Sequence, residues 1–179
     1  MIKINKAKLV PKLILAILII TIITGFASTF ATAKKRNQSF TKLDFEAKEV
    51  LEIWDVQKNW EMGNRLFMKA YKKALLMDGK IDDIEFTGYD ELDLIVILDP
   101  VTGKYISIGT VTMYIEWNGL SGSFFGFVIG WGTIMVSADG AYALQGAGDF
   151  EGMKLYGKVW AIDAYYGING LSGTILNPN

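Results

Sequence analysis

The stretch GLSGSFFGFVIGWGTIMVS, residues 119–137, decides how this chain folds. It lies in an uncharged run covering residues 117–138, long enough for a membrane-spanning helix. Gly122, Gly126 and Gly130 stand at the four-residue spacing that packs such helices. Three features favour a strand instead. Four is a multiple of two, so the same glycines would line one face of a strand. Asn118-Gly119 and Asp139-Gly140, at either end, are hairpin dipeptides. No Lys or Arg lies between residues 105 and 153 to anchor a helix in a bilayer. Glycine weakens a strand unless a bulge, a bend or a close backbone approach calls for it. A small sheet curling into a closed barrel has those needs.

Working outward, glycine stays dense to Gly173: it fills thirteen of the 55 positions in 119–173, interleaved with aromatic and branched residues. Residues 92–98, LDLIVIL, form a β-branched apolar run closed by Asp99-Pro100, which reads as strand and turn. Over 104–117 parity is clear. Tyr105, Val111, Met113, Ile115 and Trp117 share one face; Ile106, Ile108, Thr110, Thr112 and Tyr114 share the other. Both faces are largely uncharged, as in a strand well inside a sheet. Further strands are predicted at 142–148, 155–162 and 171–176, with turns at 139–140, 149–154 and 163–170. The hexapeptide starting at Asn118 (NGLSGS) echoes at Asn169 (NGLSGT). Two copies do not make a solenoid, and repeated turn-into-strand chemistry accounts for them.

Upstream the reading is open between helix and strand over 43–77, with strands favoured. As a strand, Leu66, Met68 and Ala70 point one way and Arg65, Lys69 and Lys73 the other, but Lys72 breaks the alternation. The chain begins with Lys3, Lys6, Lys8 and Lys12, an apolar run over 13–23 interrupted by Thr21, and the small triplet Ala31-Thr32-Ala33. That is the layout of a secretory signal peptide over 1–33. An uncleaved anchor is the alternative, because 13–30 is just long enough to span. Residues 34–42 are expected to be a flexible lead-in, and 43–179 one domain in a secreted or extracytoplasmic protein.

Composition excludes several chemistries. With no His and no Cys, neither Ser–His nor Cys–His triads are possible. Zinc, haem and blue-copper sites that need those ligands are ruled out too, as are disulfides. Loss of residues 1–33 removes four lysines and no acids, leaving 14 basic against 19 acidic residues and a net charge of −5. A mildly acidic domain lacks the basic footprint that nucleic-acid binding needs. Asp149 and Glu151 supply two carboxylates, short of the six to eight oxygens calcium takes. No metal and no cofactor is expected.

The run 139–157, DGAYALQGAGDFEGMKLYG, resembles the G-x-Y-x-x-x-G-x-G-x-F-x-G-x-x-G rhythm of allene-oxide-cyclase-like and dirigent-like barrels, with Lys154-Leu155-Tyr156 adding residues before the last glycine. The resemblance is clearest over 119–157. It implies an all-β, closed antiparallel barrel of about eight strands, calycin-type, around an apolar cavity. Its motif consists of turn and bend glycines and transfers no catalytic residue.

The resulting expectation is an exported, non-enzymatic barrel that binds a small hydrophobic molecule. A cyclase or isomerase acting on an apolar substrate and a purely structural cell-surface module are the alternatives. Tyr114 and Glu116 share a parity and are taken to line the lumen at a strand end. Trp131 completes the candidate ligand-binding set, although tryptophans in general are expected in the core. Lys69, Lys72 and Lys73 are read as a solvated cluster, with contact to anionic lipid as the alternative.

Overall fold

The computed structural model describes residues 39–178; the signal or anchor segment over 1–33 lies outside them. The described residues contain eight strands and no helix. In chain order they are β1 (Phe40–Met62), β2 (Arg65–Ile81), β3 (Ile84–Leu98), β4 (Lys104–Trp117), β5 (Leu120–Thr133), β6 (Ser137–Gly148), β7 (Lys154–Asp163) and β8 (Ile168–Pro178). Each pairs antiparallel with its neighbour, and β1 pairs with β8 to close the ring. The region left open between helix and strand is therefore β1 and β2. Pairing starts at Phe40, opposite Pro178, rather than at residue 43.

Alternation sets the inside of the ring. On β3, Phe86, Asp90, Leu92, Leu94, Val96 and Leu98 are buried while Glu85, Asp93 and Ile95 are exposed. On β4, Val111, Met113 and Ile115 are buried. Because the strands form a meander, alternate turns share one end. At the end holding Asp82-Asp83, Asn118-Gly119 and 149–153, aromatic side chains fill the interior. Phe45 stacks on Phe86 with centroids 5.3 Å apart, and Phe124 on Phe150 at 5.1 Å. Ile81, Leu155 and Ile175 pack among them, all fully buried. This end is plugged.

The two-residue turn Asn118-Gly119 has both residues at positive φ (50° and 79°), the geometry that matches strand twist in tight hairpins. Asp139-Gly140 is not a turn, contrary to the reading from sequence. It lies inside β6, with Asp139 opposite Trp131 and Gly140 opposite Gly130. The chain reverses earlier, at the apolar Ile134-Met135-Val136, where Met135 takes a φ of 58°. Cross-strand pairing along β5 has overridden local turn preference. The two NGLSG copies also differ: Asn118 is in a turn, whereas Asn169 is within β8 and pairs with Glu49.

The glycines of β5 allow close approach. A Cβ at Gly126 would run into the carbonyl oxygen and carbon of Ala143 and the Cα of Leu144, all backbone. Gly126→Ala is therefore expected to cost roughly 1–3 kcal/mol, as for overpacking of a tight core. Denaturant unfolding measures this, and a variant as stable as the parent would contradict the close β5–β6 contact.

β1 outruns its partner on one side. It pairs with β8 only through Val50, but with β2 as far as Met62. The last link to that side is the Leu51 N–H donating to Gly167 O at 3.3 Å. Beyond it, residues 52–62 form an exposed edge. Bulges between Leu51 and Ile53 and between Val56 and Lys58, with the charges of Glu52, Asp55, Lys58 and Glu61, disfavour pairing with another chain. The ring is thus notched where β1 leaves β8.

Candidate functional site

The notch and the unplugged end open into a lumen of about 570 Å³. Its walls are mostly apolar: Leu92, Leu94, Val96, Val111, Met113 and Val128 line it. At the mouth stand Trp54, Ile134, Met135, Tyr165 and Tyr166, all well exposed, Tyr166 at 70%. This apolar rim is continuous with the apolar interior. Tyr142 is buried in the wall and donates its hydroxyl to Ser172 O at 3.0 Å. Burial pushes its phenol well above the usual tyrosine range. Gly157 and Gly173 leave room for that ring, since a Cβ at either would meet its oxygen.

Within the apolar wall, beside the notch, sit three charged side chains. Glu49 (β1), Lys72 (β2) and Asp90 (β3) all line the lumen. Glu49 is 3% exposed and Asp90 1%. Alternation puts them there. Glu49 follows Phe45 and Ala47 inward, Lys72 falls between Ala70 and Ala74, and Asp90 continues the inward row of Leu92, Leu94 and Val96. Lys72 Nζ is ion-paired with Glu49 Oε1, and Asn169 Nδ2 donates to the same oxygen at 3.1 Å. Burial lowers the ammonium pKa of Lys72, against the pull of Asp90's charge. Burial pushes the Asp90 carboxyl up to about 6, opposed by Lys72 and by a hydrogen bond from the Ala74 backbone N–H. Asp90 Oδ1 receives no hydrogen bond from any described residue.

The candidates read from sequence lie elsewhere. Tyr114 and Glu116 share a face, as parity demanded, but it is the outer one: Tyr114 is 38% exposed and stacks on Tyr89 at 4.7 Å, and Glu116 is exposed. The inward row of β4 is Tyr105, Ser107, Val111, Met113 and Ile115. Trp131 is also outside, 46% exposed beside the outward Phe127 and Ile129. None of the three lines the lumen. The expected tryptophan core is also absent: Trp54, Trp60, Trp131 and Trp160 are all exposed, and Trp117 alone packs against the core. The lysine cluster is split by the wall. Lys69 and Lys73 face out, with Lys73 Nζ 4.7 Å from the Tyr89 ring centre, while Lys72 faces in. Asp149 accepts a hydrogen bond from the Ser121 N–H at 2.9 Å, a turn-holding role.

Lys72 carried a signal in the sequence, because it was the one residue that broke the alternation of β2. Asp90 carried another, by sharing parity with the four apolar residues Leu92, Leu94, Val96 and Leu98 that follow it. No protein-family model and no curated protein matches the chain.

Proposed function

We propose that this protein binds one small, mainly apolar molecule inside its lumen. The observation that carries the proposal is the lumen itself, about 570 Å³ with apolar walls and a small group of convergent polar side chains. Small-molecule sites have that character, and typically span roughly 300–1,000 Å³. Eight strands enclose enough room for one small ligand or for side chains alone. Here aromatic packing occupies one end and leaves the other hollow, which supports a binding protein over a solid structural module. The calycin-type character suggested by the resemblance over 119–157 belongs to the same proposal, as does export directed by residues 1–33.

The test is uptake of the neutral dye Nile red by the full chain. Expected is saturable uptake with one dye per chain, quenching part of the tryptophan emission through Trp54 at the mouth. Val128→Trp, which fills the lumen, should abolish uptake while leaving the far-ultraviolet circular dichroism unchanged. Absence of uptake by the parent, or full uptake by the folded Val128→Trp variant, would remove the proposal.

A cyclase or isomerase reading retains one specific support. A buried carboxylate with a raised pKa in an apolar cleft is poised for proton transfer, and Asp90 is that group. Glu116, expected from its parity to line the lumen, faces outward and supplies no such group.

A further inference from the structure

We propose that the lumen selects an apolar amine in its protonated form, the ammonium head bonding to Asp90 Oδ1 and the hydrocarbon tail lying along Leu92, Leu94 and Val111. This rests on the lumen-binding reading above and names its ligand class.

The charges facing the site can be summed element by element. β1 contributes Glu49, β2 Lys72 and β3 Asp90. β4 contributes the polar but uncharged Tyr105 and Ser107, and β8 the amide of Asn169. β5 and β7 present Val128 and Val159, and β6 Tyr142 with Asp139 at the rim. Lys72 is already engaged with Glu49, which leaves one uncompensated anion, Asp90, before the rim carboxylate of Asp139 is added. A buried charge is costly unless it is paired and hydrogen-bonded. Oδ1 of Asp90 lacks a donor among the described residues, and the residue is 1% exposed.

Each head group meets this site differently. A fatty-acid carboxylate would put a second negative charge beside an oxygen that needs a donor. An alcohol supplies one donor and no charge. An ammonium supplies three donors and the missing positive charge, and a charge-assisted hydrogen bond is about twice as strong as a neutral one. The entrance suits the same ligand, because Trp54, Tyr165 and Tyr166 offer ring faces that attract cations.

The experiment is displacement of Nile red from the full chain by octylamine, octan-1-ol and octanoate, which share one tail length. At roughly pH 8 the amine is protonated and a carboxyl of pKa about 6 is ionised. Octylamine should bind roughly tenfold or more tighter than octan-1-ol, as expected for a hydrogen bond to a charged group, with octanoate weakest. Asp90→Asn should bring octylamine down to the level of the alcohol, whereas Glu116→Gln on the outer wall should keep the preference. Dye uptake with equal displacement by alcohol and amine, or stronger displacement by octanoate, would overturn the inference and leave the lumen reading standing. A preference for amine that survives Asp90→Asn would overturn it as well. Failure of the parent to take up dye or any of the three ligands would overturn both.

Discussion

Replacing Lys72 by methionine is expected to cost about 3–5 kcal/mol of folding stability, the usual penalty for stranding one partner of a buried ion pair. The loss is not mainly that of a favourable contact. Lys72 Nζ is the cation paired with Glu49 Oε1, and its charge also acts on Asp90. Without it, the Asn169 amide remains to donate to Glu49, and two carboxylates share an apolar pocket with no positive charge between them. A domain of this size has roughly 5–15 kcal/mol of stability in total, so the variant should sit close to its unfolding threshold. The double variant Glu49→Gln/Lys72→Met keeps the Asn169 hydrogen bond and removes the charge stranded on Glu49, leaving Asp90 as the one carboxylate. It should recover most of the loss, because replacing a buried pair by neutral groups of similar volume is often close to neutral. Urea unfolding of the parent, both single variants and the double variant closes the cycle and isolates the coupling. A Lys72→Met variant within about 1 kcal/mol of the parent would mean that water reaches and screens the pair.

Fold class was legible because a ring of two-faced strands leaves period-two traces: the parity of 104–117, the Asn118-Gly119 turn and the bend glycines of β5 all recur in the structure. The site was less legible, for a physical reason. Parity says which residues share a face, but it names the inner face only when the two differ in polarity. On β4 both rows are uncharged between Lys104 and Glu116, so along that stretch hydrophobicity could not tell the row of Val111 and Met113 from that of Tyr114. The outer wall around Ile106, Phe127 and Ile129 is itself apolar and exposed, which removed the contrast. Conversely, Lys72 and Asp90 are polar residues on the inner row, so a rule that sends polar residues outward misplaces both. Asp139-Gly140 does not turn, for a different reason. A local turn preference worth little in itself yielded to the continuous pairing of β5 with β6, and the reversal fell on three apolar residues that no turn statistic favours.

Asp90→Asn is expected to stabilise the protein by up to about 3 kcal/mol above pH 6 and to change little near pH 4. The carboxyl is raised from 3.8 to about 6, first by burial, and Lys72 and the Ala74 N–H only partly offset this. The folded protein therefore holds this proton more tightly than the unfolded chain does. The stability that the protonated acid contributes is fully present below about pH 4 and is lost as pH rises through about 6. At about 1.36 kcal/mol for each pH unit, the rise from 3.8 to about 6 amounts to about 3 kcal/mol. Asparagine keeps the shape and an oxygen for the Ala74 N–H but cannot ionise, so it omits the loss. Stability measured by urea denaturation from pH 4 to pH 8 should thus fall in the parent by more than in the variant, with the divergence developing between about pH 4 and pH 6 and level above it. Parallel curves for the two proteins would show that Asp90 titrates normally, and that its carboxylate is solvated in the lumen. The sign also bears on binding. An ammonium ligand stabilises the ionised carboxylate, so saturating octylamine should flatten the fall in the parent between pH 4 and pH 8, whereas in Asp90→Asn it should shift the curve without changing its pH dependence. The same buried carboxylate that weakens the empty protein at neutral pH is, on this account, what the ligand is bound by.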